Sequence, residues 1–227
     1  MMNTVIIYLF GGLLTLGTYA IGIYLYKRYK KTWLQPMIVA TVLIGALLLL
    51  ADIPYETYMK GGELWNWLLG PAVVALAYPL YFNLPMVKKY FGPILLGVFG
   101  GGLFGLFSGY LLTKWLGADA AVATSTIPKN ATTPIAIELS EMVGGIPSLT
   151  VVYVMIAGIG GAVLGIPILD KMGIRHPVAR GLSVGIGSHG FGTAKLFETS
   201  DQEGSVSTVA YILTAILITA VCTPFFR

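Results

Sequence analysis

Residues Ser183 to Glu198, SVGIGSHGFGTAKLFE, interrupt an otherwise apolar chain. They carry Gly185, Gly187, Gly190 and Gly192 together with Ser188, His189, Thr193, Lys195 and Glu198. Glycine raises the conformational cost of a helix. A histidine, a lysine and a glutamate at membrane depth are expensive unless they face a cavity or one another. Backbone that leaves the helix inside a bilayer is tolerated only where protein buries it or water reaches it. The stretch therefore predicts a half-helix or unwound segment lining a polar pathway, not a lipid-facing helix.

The surroundings set the class. The 227 residues are 56% hydrophobic and 11% charged, with a mean hydropathy of +0.81. A spanning helix needs about 20 apolar residues, and almost every segment reaches that length with a short loop before the next. The expected fold is an all-α polytopic membrane protein of about seven to eight transmembrane helices, some broken or re-entrant. Residues 1–227 would form a single integral membrane domain, with no room for a soluble one. The net charge of +4 comes from 14 basic and 10 acidic residues. The basic ones cluster in loops, which reads as topology and excludes a nucleic-acid-binding stripe. With one cysteine, Cys222, disulfides and thiolate metal sites are excluded, and no cofactor or metal is expected. Thr4 to Tyr26 is too long for a signal-peptide core and lacks a basic n-region and a cleavage site, so it is the first span.

Lys27, Arg28, Lys30 and Lys31 place the end of span one in the cytoplasm. Span two runs from about Pro36 to Ala51 into an external loop carrying Asp52, Glu56, Lys60 and Glu63. Span three, Leu64 to Phe82, is kinked or broken by Pro71 and Pro79, and Lys88 and Lys89 follow it in the cytoplasm. Span four, Phe91 to Trp115, carries Gly97, Gly101, Gly105 and Gly109 at every fourth position. Such a face lets another backbone approach closely, in a dimer or within the bundle. Span six, Pro147 to Leu169, leads into a basic cytoplasmic loop with Lys171, Arg175 and Arg180. Residues 118–145 then have both ends outside, so they enter the membrane and turn back around Pro128 to Pro134. Pro177 to Thr199 is the seventh span, and Val206 to Phe226 the last, ending at Arg227. This count makes residues 35–117 and 146–227 inverted repeats, an arrangement that secondary transporters build around a midplane site.

Lys129 and Lys195 lie in interrupted segments, where a lysine can receive a small anion beside half-helix N-termini. A carboxylate substrate fits that charge. The plainer alternative pairs Lys195 with Glu198 and Lys129 with Glu138 or Glu141. His189 titrates near neutrality when unperturbed and is a candidate for a coupling proton, with Glu138, Glu141 and Glu198 as alternatives; a structural histidine is equally compatible. Asn130, Thr132, Thr133, Ser188 and Thr193 offer polar contacts to the substrate, and the hydroxyls among them could also serve a sodium ion, although such groups often only bond between helices. Gly185, Gly187 and Gly190 fit a dinucleotide fingerprint without its βαβ context. Ser188 lacks the nucleophile-elbow spacing. No catalytic residue or enzymatic chemistry is expected.

Four blocks carry a family resemblance: Trp67 to Tyr81 (WLLGPAVVALAYPLY), Pro128 to Ala136 (PKNATTPIA), Gly144 to Thr150 (GGIPSLT) and Gly187 to Glu198 (GSHGFGTAKLFE). In this order they resemble the LrgB/CidB family over most of the chain beyond the first two spans. The resemblance implies a multi-pass protein of the bacterial cytoplasmic membrane, often partnered by a smaller holin-like protein of the LrgA/CidA type. It implies either an antiholin-like modulator of murein hydrolase activity and lysis, or a carrier of small carboxylates such as pyruvate, glycolate and glycerate. Buried lysines, carboxylates and a histidine in broken segments serve a carrier and not a pore modulator. The residues therefore favour secondary, ion-coupled transport of a monocarboxylate by alternating access.

Overall fold

Apolar segments that must satisfy their own amides and carbonyls fold as helices, and the described residues contain helices and turns but no strand. The computed structural model describes residues 4–29, 31, 34–75 and 77–225. Lys30 of the basic cluster, Phe226 and Arg227 lie outside the described residues. The order is α1 (Thr4–Tyr29), α2 (Pro36–Leu50), α3 (Tyr55–Ala75), α4 (Ala77–Lys89), α5 (Phe91–Trp115) and α6 (Ala120–Ser125). A 3-10 turn (Ile127–Asn130), α7 (Thr133–Met142), α8 (Pro147–Gly160), a π turn (Gly161–Gly165), α9 (Ile166–Lys171), α10 (Pro177–Phe197) and α11 (Asp201–Phe225) complete it. Among the described residues four segments are long and apolar enough to cross a membrane: Leu9–Tyr29, Phe91–Trp115, Pro147–Lys171 and Asp201–Pro224.

Two compact units divide the chain, Met1–Ala75 and Leu76–Arg227. In the first, α1 packs on α2 and α3 through glycines. A Cβ on Gly11 would lie 2.5 Å from the Tyr58 carbonyl oxygen, and one on Gly22 2.6 Å from Pro36 Cα. The Thr15 and Tyr58 hydroxyls are 2.9 Å apart. The loop expected to hold Glu56, Lys60 and Glu63 is instead the start of α3. The Pro54 carbonyl accepts the Thr57 and Tyr58 amides at 3.0 and 3.4 Å, and Glu56 in the first turn sits at the positive end of the helix dipole. The expected third span is two helices, α3 and α4, with residue 76 between them outside the described residues.

The second unit is organised on α5. The four glycines of its stripe receive side chains, not a second backbone. A Cβ on Gly97 would run into Leu182, and one on Gly101 would lie 3.2 Å from Ile186 Cδ1. A Cβ on Gly105 would lie 2.8 Å from Asn130 Nδ2, and one on Gly109 2.7 Å from Lys129 Nζ. The stripe therefore serves the inside of the bundle.

Residues 120–142 fold back on themselves. The Ile146 amide donates to Ser125 Oγ (2.7 Å), Thr150 Oγ1 to the Ser125 carbonyl (3.0 Å), and Thr124 Oγ1 to the Gly144 carbonyl (3.3 Å). The entry and exit of this first hairpin are thus tied together, with Lys129 and Asn130 at its tip.

α10 departs from the expected seventh span, because it also doubles back. His189 has φ 38° and ψ −131°, and the arms on either side lie along α11 in opposite directions. In the first arm a Cβ on Gly181 would lie 2.5 Å from the Glu203 carbonyl, and one on Gly185 2.5 Å from that of Ser207. In the second, Thr193 meets Ser207 (2.7 Å) while Phe197 packs at Gly204. Arg180 closes the base, donating to Glu203 (3.0 Å), Asp170 (2.6 Å) and the Ile174 carbonyl (3.1 Å). A straight helix would hold Arg180 and Glu203 roughly 30 Å apart at 1.5 Å per residue. The acidic start of α11 therefore lies at the same end as the basic loop before α10.

This geometry predicts the sidedness of two exposed positions. Met172→Cys and Gln202→Cys will be labelled by an impermeant thiol reagent from the same face of sealed vesicles. Labelling from opposite faces would restore a straight seventh span.

Candidate functional site

The two hairpins advance along α5 from opposite ends. The first descends past Gly109 to Gly105, the second rises past Gly97 to Gly101, and they meet at the midpoint of α5. Small residues are required here because both tips must lie against the helix at once.

At the first tip, Lys129 Nζ donates to the Gly105 carbonyl. No carboxylate pairs with Lys129 among the described residues. Asn130, only 6% exposed, donates Nδ2 to the Ile186 carbonyl at 3.0 Å. The cause lies in α10. The dihedral angles of His189 interrupt the hydrogen-bond ladder, and the last carbonyls of an interrupted helix need outside donors. Asn130 supplies one.

The second tip is fastened to α8. Ser188 Oγ donates to the Gly158 carbonyl (2.5 Å), and His189 Nε2 donates to that of Val154 (3.2 Å), which fixes the ring proton on Nε2. Gly158 and Gly161 leave the space: a Cβ on Gly158 would lie 2.7 Å from His189 Cε1, and one on Gly161 2.5 Å from Ser188 Cβ. Thr193 donates to the His189 carbonyl at 2.7 Å.

Of the residues singled out in the sequence, Asn130 meets the Ile186–His189 break directly, Ser188, His189 and Thr193 brace it, and Lys129 is held on α5 beside it. Thr132 and Thr133 open α7 next to the first tip. Thr132 also lines an apolar cavity of about 410 Å³ with Ile135, Tyr211, Ile212 and Ile216. Ser188 lines a smaller one of about 190 Å³ with Gly161, Ser183 and Gly187. Lys195 lies near the end of the second arm, in an ion pair with Glu198. Glu138 and Glu141 are exposed on α7, and neither pairs with Lys129. Gly105, Gly158, Gly161, Ser207 and the Arg180–Glu203 pair were not singled out as site residues. Gly105 was visible within its stripe, but nothing local links Gly158 to a residue thirty positions later.

A family profile described as the LrgB-like family matches residues 15–227. YxaC of Bacillus subtilis is 43% identical over 205 residues, covering 90% of this chain and 89% of the relative. The holin-like protein CidB of Staphylococcus epidermidis is 34% identical over 205 residues, 90% of each. The antiholin-like protein LrgB of Bacillus mycoides is 34% identical over 218 residues, 96% of this chain and 94% of the relative. No solved structure matches.

If both tips need the bare face of α5, Gly105→Ala will destabilise the protein, because overpacking a filled site costs roughly 1–3 kcal/mol. Gly100→Ala, whose Cβ meets nothing within 4 Å, is the control. Thermal unfolding in detergent will show a lower Tm for Gly105→Ala alone; equal Tm values would contradict this role.

Proposed function

The chain belongs to the LrgB-like family, and from that membership and the meeting of the two hairpins we propose that it is a secondary carrier of small monocarboxylates. Pyruvate, glycolate and glycerate are the size class. The observation that carries this reading is Lys129, a cation on a re-entrant tip with no carboxylate partner among the described residues. An ionisable group at that depth is costly and marks a pathway unless it is neutralised. An anionic substrate neutralises it while it is bound.

In this reading Lys129 receives the carboxylate, assisted by the amides that open α7 behind Thr132 and Thr133. Lys195 is the weaker candidate because Glu198 already balances it. His189, Glu138 and Glu141 are the candidates for a coupling proton, with Glu198 behind them. The inverted relation shifts from residues 35–117 and 146–227 to a pairing of α5 and the first hairpin with α8–α9 and the second. Each pair is a long helix followed by a re-entrant hairpin, and the hairpins approach from opposite ends, as alternating access around a fixed site requires. Both units would belong to one multi-pass protein of the bacterial cytoplasmic membrane.

The relatives' names favour a second reading more directly than the first. Holin-like and antiholin-like names speak for a modulator of murein hydrolase activity and lysis acting with a small holin-like membrane partner. Carboxylate flux could alter internal pH and feed into lysis, so the two readings are compatible in a cell and separable in a vesicle.

Proteoliposomes holding only this protein will show saturable counterflow of labelled pyruvate or glycolate. Lys129→Gln removes a charge-assisted hydrogen bond of roughly 1.5–3 kcal/mol, so apparent affinity will fall roughly ten- to hundredfold. Absence of exchange by folded wild-type protein, with effects on lysis only when the partner is present, would select the modulator.

A further inference from the structure

We propose that Asn130 is a latch, a positioning residue whose bond to Ile186 closes the space between the two hairpin tips and must break each time a solute enters or leaves. The inference rests on the carrier reading above, and it assigns the moving contact within that site.

Each hairpin is fastened to α8 and packs on α5. The base of the first is tied by Ser125 to Ile146 and Thr150, and its tip by Lys129 to α5. The second is held by Arg180 to Asp170 and Glu203, by Ser188 and His189 to α8, and by Thr193 to Ser207. Between the tips themselves the crossing bond is Asn130 Nδ2 to the Ile186 carbonyl, at 3.0 Å. Asn130 is 6% exposed, His189 3% and Ser188 0%. No solute fits between tips so closely packed, so opening requires them to part.

The chemistry suits a contact that is made and broken. A neutral amide-to-carbonyl bond is modest in net strength, unlike the charged ties at the base of the second hairpin. Both groups it releases are polar, and water or substrate entering the gap can satisfy them. The interruption at His189 frees the Ile186 carbonyl for this partner, so the strained residue and the latch form one device. On α5, Gly101 and Gly105 have no side chain to obstruct the parting.

The test is thiol accessibility in otherwise full-length protein. Ala131→Cys, next to the latch and fully buried, is placed in a Cys222→Ala background in vesicles, and a small impermeant thiol reagent probes it at rest and during pyruvate or glycolate counterflow. Labelling will be slow at rest, severalfold faster during counterflow, and fast without substrate when Asn130→Leu, which cannot donate to the Ile186 carbonyl, is added. Asn130→Gln keeps the donor and will return labelling to the slow rate, which a merely unfolded tip would not do. Equal resting rates with and without Asn130→Leu would overturn the latch. Absence of counterflow by wild type would instead overturn the carrier reading.

Discussion

The bare face of α5 is the constraint on which the second unit depends. Four glycines spaced one turn apart leave a groove of naked backbone, and four side chains fill it in order: Leu182, Ile186, Asn130 and Lys129. The first two arrive from one end of the helix and the last two from the other. A methyl group at any of these glycines meets an occupant, so the groove fixes both the depth of each hairpin and the place where they meet. Lys129 follows from the same constraint. Its ammonium reaches the Gly105 carbonyl because neither Gly105 nor Gly109 carries a side chain.

Turning the chain at His189 has a cost, since a non-glycine residue in such a region of φ/ψ space stores about 1–3 kcal/mol. The surrounding structure over-determines it. Ser188 and His189 bond to carbonyls of α8, Thr193 bonds the His189 carbonyl, and Asn130 bonds that of Ile186. The bond to Ile186 satisfies a carbonyl that the break leaves without its helical partner, which a bilayer could not do. Polar residues that look like substrate ligands in the sequence are therefore occupied, in this arrangement, with holding a broken helix. Lys129 stands apart because it has a carbonyl for a partner but no counter-charge among the described residues.

Much of this was legible in the sequence, for reasons that can be named. Interrupted apolar segments announced themselves through glycine, proline and charge, so the first hairpin and the irregularity near Ser188 to Gly192 were both expected. The direction of the chain after His189 was not. A kinked span and a re-entrant hairpin have the same composition, and only the contacts of Arg180 with Glu203 and of Thr193 with Ser207 tell them apart. The glycine stripe was read as a face for another backbone, whereas side chains from distant sequence positions occupy it. Glu198 next to Lys195 was visible as a pair, whereas the exposure of Glu138 and Glu141 depended on the rotation of α7, which a ten-residue helix with few apolar markers does not reveal.

The relatives' names point towards lysis and the proposed carrier towards a solute; what Lys129 holds decides the proposal. Magnetic-resonance measurement of dipolar coupling between an isotope-labelled substrate carboxylate and labelled lysine side-chain nitrogens, in lipid, addresses this directly. A coupling that appears with bound pyruvate or glycolate and vanishes in Lys129→Gln is the result expected. Bound carboxylate with no coupling to any lysine, or a coupling that survives Lys129→Gln, would contradict the account.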